Sequence, residues 1–204
     1  MRIPDRAEAE SLLAEGGRLN PGPWVQHSLN VARAAELIAG ATQDMDADAA
    51  YVLGCLHDIG RRYGVSGMRH ALDGYHYLLS LGHADAARVS LTHSYAFQDA
   101  RAVFGEVDCT PEQLLQLEAL LAQIEYDEYD RLIQLCDALA MASGYVLIEK
   151  RLVDVLLRYG CNDLVVPKWR AIMDLKTHFD DRTGGSVYEL LPGVAANTFG
   201  SAGG

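Results

Sequence analysis

The sequence lacks any apolar run near the roughly 18 uninterrupted residues that a membrane span requires. Its opening stretch, MRIPDRAEAE, has no apolar segment of the kind a secretory signal carries. These absences predict a chain in the cytoplasm that makes no use of a membrane. Cysteine is sparse, and Cys55, Cys109, Cys136 and Cys161 lie far apart with no CxxC pair. Three of them stand among apolar neighbours, as reduced core thiols do, which fits a reducing compartment. Positive charge is also short: 17 Lys and Arg face 28 Asp and Glu, for a net charge of −11. A duplex nucleic acid is therefore an unsuitable partner, because binding its backbone needs a basic face that releases counterions. A small anion is still compatible, since a local cluster of cations or a metal outweighs a distant negative field. Strand signals are scarce, and there is no internal repeat or low-complexity block.

What is present is helical spacing. The 204 residues, half of them apolar, suit one domain with a substantial core. Apolar periodicity and end signals predict helices over residues 5–15, 24–39, 47–57, 69–81, 84–93, 110–124, 128–141, 147–159 and 167–179. Asp46 and Asp127 read as caps, and Thr110-Pro111-Glu112-Gln113 combines a cap with a proline at the first helical position. The segment from Gly16 to Pro23 reads as a turn, Gly60 as a stop, and the tail from 193 to 204 as loose. The expected fold class is all-α, a single-domain helical bundle of about seven to nine helices.

Several ionisable groups fall where the helices are apolar. His27 lies on the stripe formed by Val31, Ala34 and Ala35; alone it reads as a hydrogen-bonded core histidine. His57 and Asp58 stand side by side among Leu53, Leu56 and Ile59, and Asp58 by itself reads as a group that orients His57 or caps a loop. Asp137, in RLIQLCDALAMAS, is crowded by Ile133, Leu135, Cys136, Leu139 and Met141, where an ionised carboxylate costs several kcal/mol unless it is paired or binds a metal. A long-range salt bridge is its plain alternative. His70 and His93 open and close predicted helices and read equally as capping residues. His76, His83 and His178 lie in polar settings and read as surface groups. Together, His27, His57, Asp58, His70, His93 and Asp137 offer imidazoles and carboxylates from five helices. That mixture suits zinc, iron, manganese or nickel, and an aspartate can bridge two ions about 3.5–4 Å apart.

These residues carry a resemblance. HDIG at His57 to Gly60, an upstream His27 in HSLNVARAAELIA and a downstream CDALA resemble the HD-domain superfamily of metal-dependent phosphohydrolases, over roughly Trp24 to Gly144. The resemblance implies an all-helical fold of the HD-domain type with a metal-binding core at 24–144, preceded by a helix and turn at 1–23. C-terminal helices at 145–192 would pack on that core. It also implies that His27, His57, Asp58 and Asp137 bind a primary metal. His70 in RHALDGYHYLLSLG and His93 in LTHS match the extra histidines with which some branches hold a second ion, as in HD-GYP cyclic-dinucleotide phosphodiesterases and symmetrical diadenosine tetraphosphate hydrolases. The match is incomplete. There is no GYP signature, Ser94 stands where HD-GYP proteins have a further histidine, and Pro23 stands where three-metal variants have a glutamate.

The implied activity is hydrolysis of a phosphoester, of a nucleotide or another small phosphorylated metabolite, by a metal-activated water with Asp58 as bridge. The implied cofactor is one or two divalent ions, iron first, with manganese, zinc, nickel or cobalt as alternatives and magnesium also compatible. Arg61 occupies the position of the lysine found in many HDIG proteins, and its planar fork suits a phosphate; Arg69 is a further substrate-binding candidate and Arg62 reads as a solvated loop residue. Two other functions fit the same residues. One is a diiron oxygenase resembling myo-inositol oxygenase, which uses the same six-ligand set. The other is a non-catalytic nucleotide-binding module, whose expected mark is a lost ligand. Specificity is expected in the C-terminal helices and in the loop from Ser94 to Cys109, where Tyr95, Phe97 and Phe104 are candidates for stacking on a base. A homodimer is also compatible with the amphipathic C-terminal helices.

Overall fold

The apolar stripes become helix faces turned towards one another. A computed structural model describes residues 1–103 and 108–200 of the chain. Its helices are α1 (Arg6–Leu19), α2 (Trp24–Ala41), α3 (Ala47–Leu56), α4 (Arg69–Ser80), α5 (Ala84–Thr92), α6 (Pro111–Gln123), α7 (Glu128–Leu139), α8 (Ile148–Tyr159), α9 (Val165–Thr183), α10 (Val187–Leu190) and α11 (Val194–Phe199). A 3-10 turn covers Ile59–Tyr63, and β1 (Ala140–Met141) pairs antiparallel with β2 (Gly144–Tyr145) between α7 and α8. The fold is all-α, as the periodicity predicts. No helix among the described residues is long and apolar enough to cross a membrane.

The end signals work as local chemistry requires. Asp46 accepts from the backbone N–H groups of Asp48 and Ala49, and Thr110 and Asp127 each form a reciprocal capping box, with Gln113 and Asp130 respectively. Three boundaries differ from the expectation. First, α1 runs through Gly16 and Gly17 to Leu19, because Gly16 is buried against Trp24 and Ile59 and the tertiary contact outweighs its weak helix propensity. Secondly, two short helices, α10 and α11, raise the count of α-helices to eleven among the described residues. Thirdly, the tail is not loose over its whole length. Lys150 Nζ donates to the carbonyls of Asn197 (2.7 Å) and Thr198 (2.8 Å), and Asn197 Nδ2 donates to the Tyr145 carbonyl (3.1 Å), so α11 is fastened to the start of α8 and to β2. Residues 201–204 lie outside the described residues.

The main core joins α1, α2, α3, α5, α7, α9 and the C-terminal turns. Leu53, Leu56 and Ile59 are at most 1 % exposed, and burying each side chain of this size is worth about 1.5–3 kcal/mol. A smaller cluster, with Leu72, Leu91, Tyr95, Leu117 and Leu121, packs α6 on α4 and α5.

Two glycines let the backbones meet closely where the ionisable groups converge. At Gly54 a Cβ atom would lie 2.7 Å from the Ala32 Cα, so α3 crosses α2 with their main chains almost in contact. At Gly60 a Cβ atom would lie 2.0 Å from the His70 carbonyl oxygen. Gly60 therefore does more than end a helix. It admits the start of α4, and with it His70, against the turn that carries Asp58.

Candidate metal centre

α3 ends at Leu56, and the chain tightens into the 3-10 turn, placing His57 at the last helical conformation and Asp58 at φ −101°, ψ 13°. This sparsely populated bridge region is where active-site residues are often found. Both side chains point inward, with His57 1 % and Asp58 4 % exposed. α2 brings His27 across the Gly54 crossing, with its ring centroid 5.2 Å from that of His57. α4 and the end of α5 bring His70 and His93; the rings of His57 and His93 are 5.0 Å apart and those of His70 and His93 5.3 Å apart.

The imidazoles are oriented by their own helices. His57 Nδ1 donates to the Gly54 carbonyl (2.7 Å), His93 Nδ1 to the Ser90 carbonyl (2.8 Å) and His70 Nδ1 to the Gly67 carbonyl. A carbonyl only accepts, so each Nδ1 carries the proton and each Nε2 presents a lone pair to the interior. Ser90 strengthens the frame by donating its hydroxyl to the His57 carbonyl (2.9 Å), which links α5 to the end of α3.

The result is a meeting of lone pairs. His70 Nε2 lies 3.0 Å and His93 Nε2 3.5 Å from Asp58 Oδ1, and the two Nε2 atoms are 3.3 Å apart. His57 Nε2 is 3.8 Å from Asp58 Oδ2. Despite these short approaches, His57 Nε2 and Asp58 Oδ1 have no hydrogen-bond partner. Protonating the rings would relieve the repulsion, but burial pushes His57 down to about 3 from an ordinary 6.5, and burial together with the Arg61 guanidinium lowers His70. Facing acceptors of this kind are satisfied by a cation or by a donating water, and the mixture of imidazole and carboxylate is one that suits a cation. The donor set fits one: His27, His57 and Asp58 present ligand atoms within 4.8 Å of one another, and so do Asp58, His70 and His93. Asp58 belongs to both triads.

Asp137, on α7, is tied to the first triad through His27, whose Nε2 is 2.9 Å from Asp137 Oδ1. Burial would raise its carboxyl, yet His27 and Arg151 hold it well below the ordinary carboxylate range. The long-range ion pair weighed as an alternative for Asp137 is thus present as well, with Arg151 Nη2 at 3.8 Å. Asp58 is likewise ionised: burial opposes this, and Arg61, whose Nε donates to Oδ2 at 2.7 Å, overcomes it.

These groups line a cleft with a volume of about 690 Å³, which also reaches Arg61, Gln134, Arg151, Arg158 and Lys168. Lys168 is 7 % exposed, and its Nζ donates to the carbonyl of Ser94, next to His93 (2.9 Å). Gln134 donates to the carbonyls of Thr92 (3.1 Å) and Tyr95 (3.0 Å), which steadies the turn bearing His93. Sequence reasoning missed Ser90, Gln134, Arg151 and Lys168. Only the fold brings them to the site, and none belongs to a local motif.

Several candidates lie elsewhere. Arg69 is outside this cleft, in a separate surface depression with Tyr63, Asp73 and His76, and its Nε is 3.1 Å from Asp73 Oδ2. Tyr95 is fully buried in the smaller core cluster, because Leu91, Leu117 and Leu121 enclose its ring; it cannot stack on a ligand. Phe97 does not line the cleft, and Phe104 lies outside the described residues. Arg62 is no solvated loop residue: its side chain is 8 % exposed, pairs with Glu15 at 3.2 Å and stacks on Tyr77. His76, His83 and His178 contact Gln116, Glu8 and Glu128, away from the centre. Cys55 and Cys136 are buried, Cys109 is half-buried and Cys161 is exposed, all as free thiols.

A family model described as HD domain matches residues 24–142, the span from the first residue of α2 to just past β1. No curated protein and no solved structure matches the chain.

Proposed function

Since the chain belongs to the HD domain family, we propose that it is a metal-dependent phosphohydrolase acting on a small phosphorylated metabolite, with nucleotides the first class to test. The observation that carries this reading is the pair of ligand triads sharing Asp58, with unpartnered lone pairs turned to a common interior and open to a cleft. His27, His57, Asp58 and Asp137 would hold a first ion, and Asp58, His70 and His93 a second. One or two divalent ions, iron first and manganese, zinc, nickel, cobalt or magnesium as alternatives, would supply Lewis acidity and a water of lowered pKa there.

The chain's own groups do the rest. Asp58 faces one triad with each carboxylate oxygen and is fixed by Arg61, so its position does not depend on the ligand. Arg61 Nη2 stands 3.4 Å from His70 Nε2, at the inner edge of the cleft, where a planar fork can take two oxygens of a phosphate. Across the cleft, Arg151 and Lys168 add positive charge near Asp137. In a protein of net charge −11, a cleft with basic side chains on both walls favours an anionic substrate. The setting proposed is cytoplasmic, where the thiols stay reduced.

The same ligands would serve a diiron oxygenase, and one experiment separates the two. Elemental analysis of anaerobically purified protein is expected to show at least one transition metal per chain, with phosphate released from a panel of phosphoesters. Arg61→Met should lower that release by more than about tenfold, as loss of a charged phosphate contact does. Oxygen consumption by iron-loaded protein without phosphate release would overturn the hydrolase in favour of the oxygenase. Metal binding with neither activity would favour a non-catalytic module.

A further inference from the structure

The residues that finish the cleft lie beyond the HD domain match, on α8. This helix, IEKRLVDVLLRY, is amphipathic, and Arg151, Leu152, Asp154, Val155, Arg158 and Tyr159 of it line the cleft. This wall changes character along its length. At the inner end Arg151 reaches towards Asp137, and Lys168 of α9 closes the same region. Eight residues further along α8, about 12 Å at 1.5 Å per residue, the wall is Tyr159. Val65, next to Gly64 in the loop after the 3-10 turn, lines the same cleft.

Val65 is 99 % and Tyr159 55 % exposed, yet both line the cleft. Arg158 and Asp154 line this part of the cleft too, but they neutralise each other at 2.5 Å, so beside them Val65 and the Tyr159 ring offer apolar surface, an arrangement that suits an amphipathic ligand. The anionic group goes to the cations and the apolar part covers the rim. A ligand that was polar throughout would leave Val65 and Tyr159 in water and gain nothing from them.

We propose that α8 and the Val65 rim bind the leaving group, so that the substrate is a phosphate ester of a flat apolar moiety, aryl or base-like. A bare polyphosphate or a polar sugar phosphate would not use this rim. The inference rests on the phosphohydrolase reading above, which places the phosphate at the inner end. It makes Tyr159 and Val65 specificity-determining residues outside the HD match.

The test is calorimetric titration of the manganese-loaded protein with phenylphosphonate, methylphosphonate and inorganic phosphate, none of which needs turnover. Phenylphosphonate is expected to bind at least about tenfold tighter than methylphosphonate, the margin a buried aromatic ring supplies. In the double variant Val65→Ser with Tyr159→Ser, both positions being exposed enough to leave folding intact, that ratio should fall to within about twofold. Equal binding of the two phosphonates by the parent would overturn the inference and leave the phosphohydrolase reading standing. A preference kept by the double variant would overturn the assignment to α8 and the rim. Binding of none of the three probes would sink both readings together.

Discussion

Asp58 and Asp130 are both buried carboxylates, 4 % and 0 % exposed, and they are opposite in kind. Asp130, in the first turn of α7, has a donor on each carboxylate oxygen. Thr92 donates to Oδ1 (2.6 Å), the Asp127 backbone N–H to Oδ2 (2.9 Å), and Arg88 forms an ion pair with Oδ2. Its surroundings are complete without any ligand, and its work is to join α5 to α7. Asp58 has one cation, Arg61, on Oδ2, while Oδ1 faces two imidazole nitrogens that cannot donate to it. Both carboxylates are equally costly to bury, and only one has been provided for. Burial alone therefore does not mark a functional charge. An incomplete set of partners does.

The largest expected effect follows from that asymmetry. Asp58→Ala removes the one ligand shared by both triads, so metal content and phosphate release should fall by more than about a hundredfold, beyond the 10–100-fold typical of outer-shell changes. The metal-free variant should lose some stability, because Arg61 is left without its carboxylate, but less than the Asp130 variant, because relief of the crowded acceptors offsets part of the loss. Metal retained at the parental level would remove Asp58 from the centre. Asp130→Ala should behave the other way. It takes from Arg88 its buried partner, leaving it only the more exposed Asp127, and breaks the capping box of α7, and urea unfolding is expected to show a loss of about 3 kcal/mol, with unchanged metal content in the folded fraction. A parental unfolding curve would refute the idea that Asp130 is structural.

Acid sharpens the contrast, since the Asp58 pocket holds histidines, whereas Asp130 is held by Thr92, Asp127 and Arg88. Burial lowers His57 in the folded protein to about 3 from an ordinary 6.5. Between those values the unfolded chain binds a proton that the folded one refuses, so stability falls as the pH drops through this window. At pH 5, 1.5 units below the ordinary value, the loss from this residue is about 2 kcal/mol. Asp58, whose folded carboxyl lies well below 3.8, adds a loss of the same sign at still lower pH. Urea midpoints of the metal-free protein at pH 7 and pH 5 measure the slope, which His57→Gln should flatten. An unchanged slope in that variant would mean that His57 is not the group that titrates.

The sequence made one half of this contrast legible. His27 is on a readable apolar stripe, and His57 and Asp58 are adjacent in a recognisable motif, because side chains on one helix or one turn obey local periodicity. Caps at Asp46, Thr110 and Asp127 were legible for the same reason. What was hidden depends on crossings. Whether Gly16 and Gly17 end a helix is decided by Trp24 and Val25 packing against them. Arg151 and Lys168 look like ordinary surface residues of amphipathic helices until α8 and α9 are laid over the cleft. Nothing in the sequence singles out Asp130, and only the arrival of Arg88 and Thr92 from α5 encloses it. The helix α11 is too short to show periodicity and is held by Lys150, nearly 50 positions earlier.

The smallest expected effect concerns Arg69, which a reading of the sequence groups with Arg61. The two guanidinium groups are held differently. Arg61 is clamped to the buried Asp58 at the inner edge of the cleft, whereas Arg69 pairs with Asp73 one turn along α4, both partly open to water. An exposed i,i+4 pair of this kind is worth about 0.3–0.5 kcal/mol. The backbone N–H groups of Arg69 and Gly67 donate to Asp108, and those bonds do not need the side chain. Arg69→Gln should therefore leave phosphate release within about twofold of the parent and move the unfolding free energy by no more than about 0.5 kcal/mol. If Arg69→Gln instead lowered phosphate release as far as Arg61→Met, the substrate would have to approach from the Tyr63 and His76 side. The cleft formed by α2, α8 and α9 would then be the wrong door.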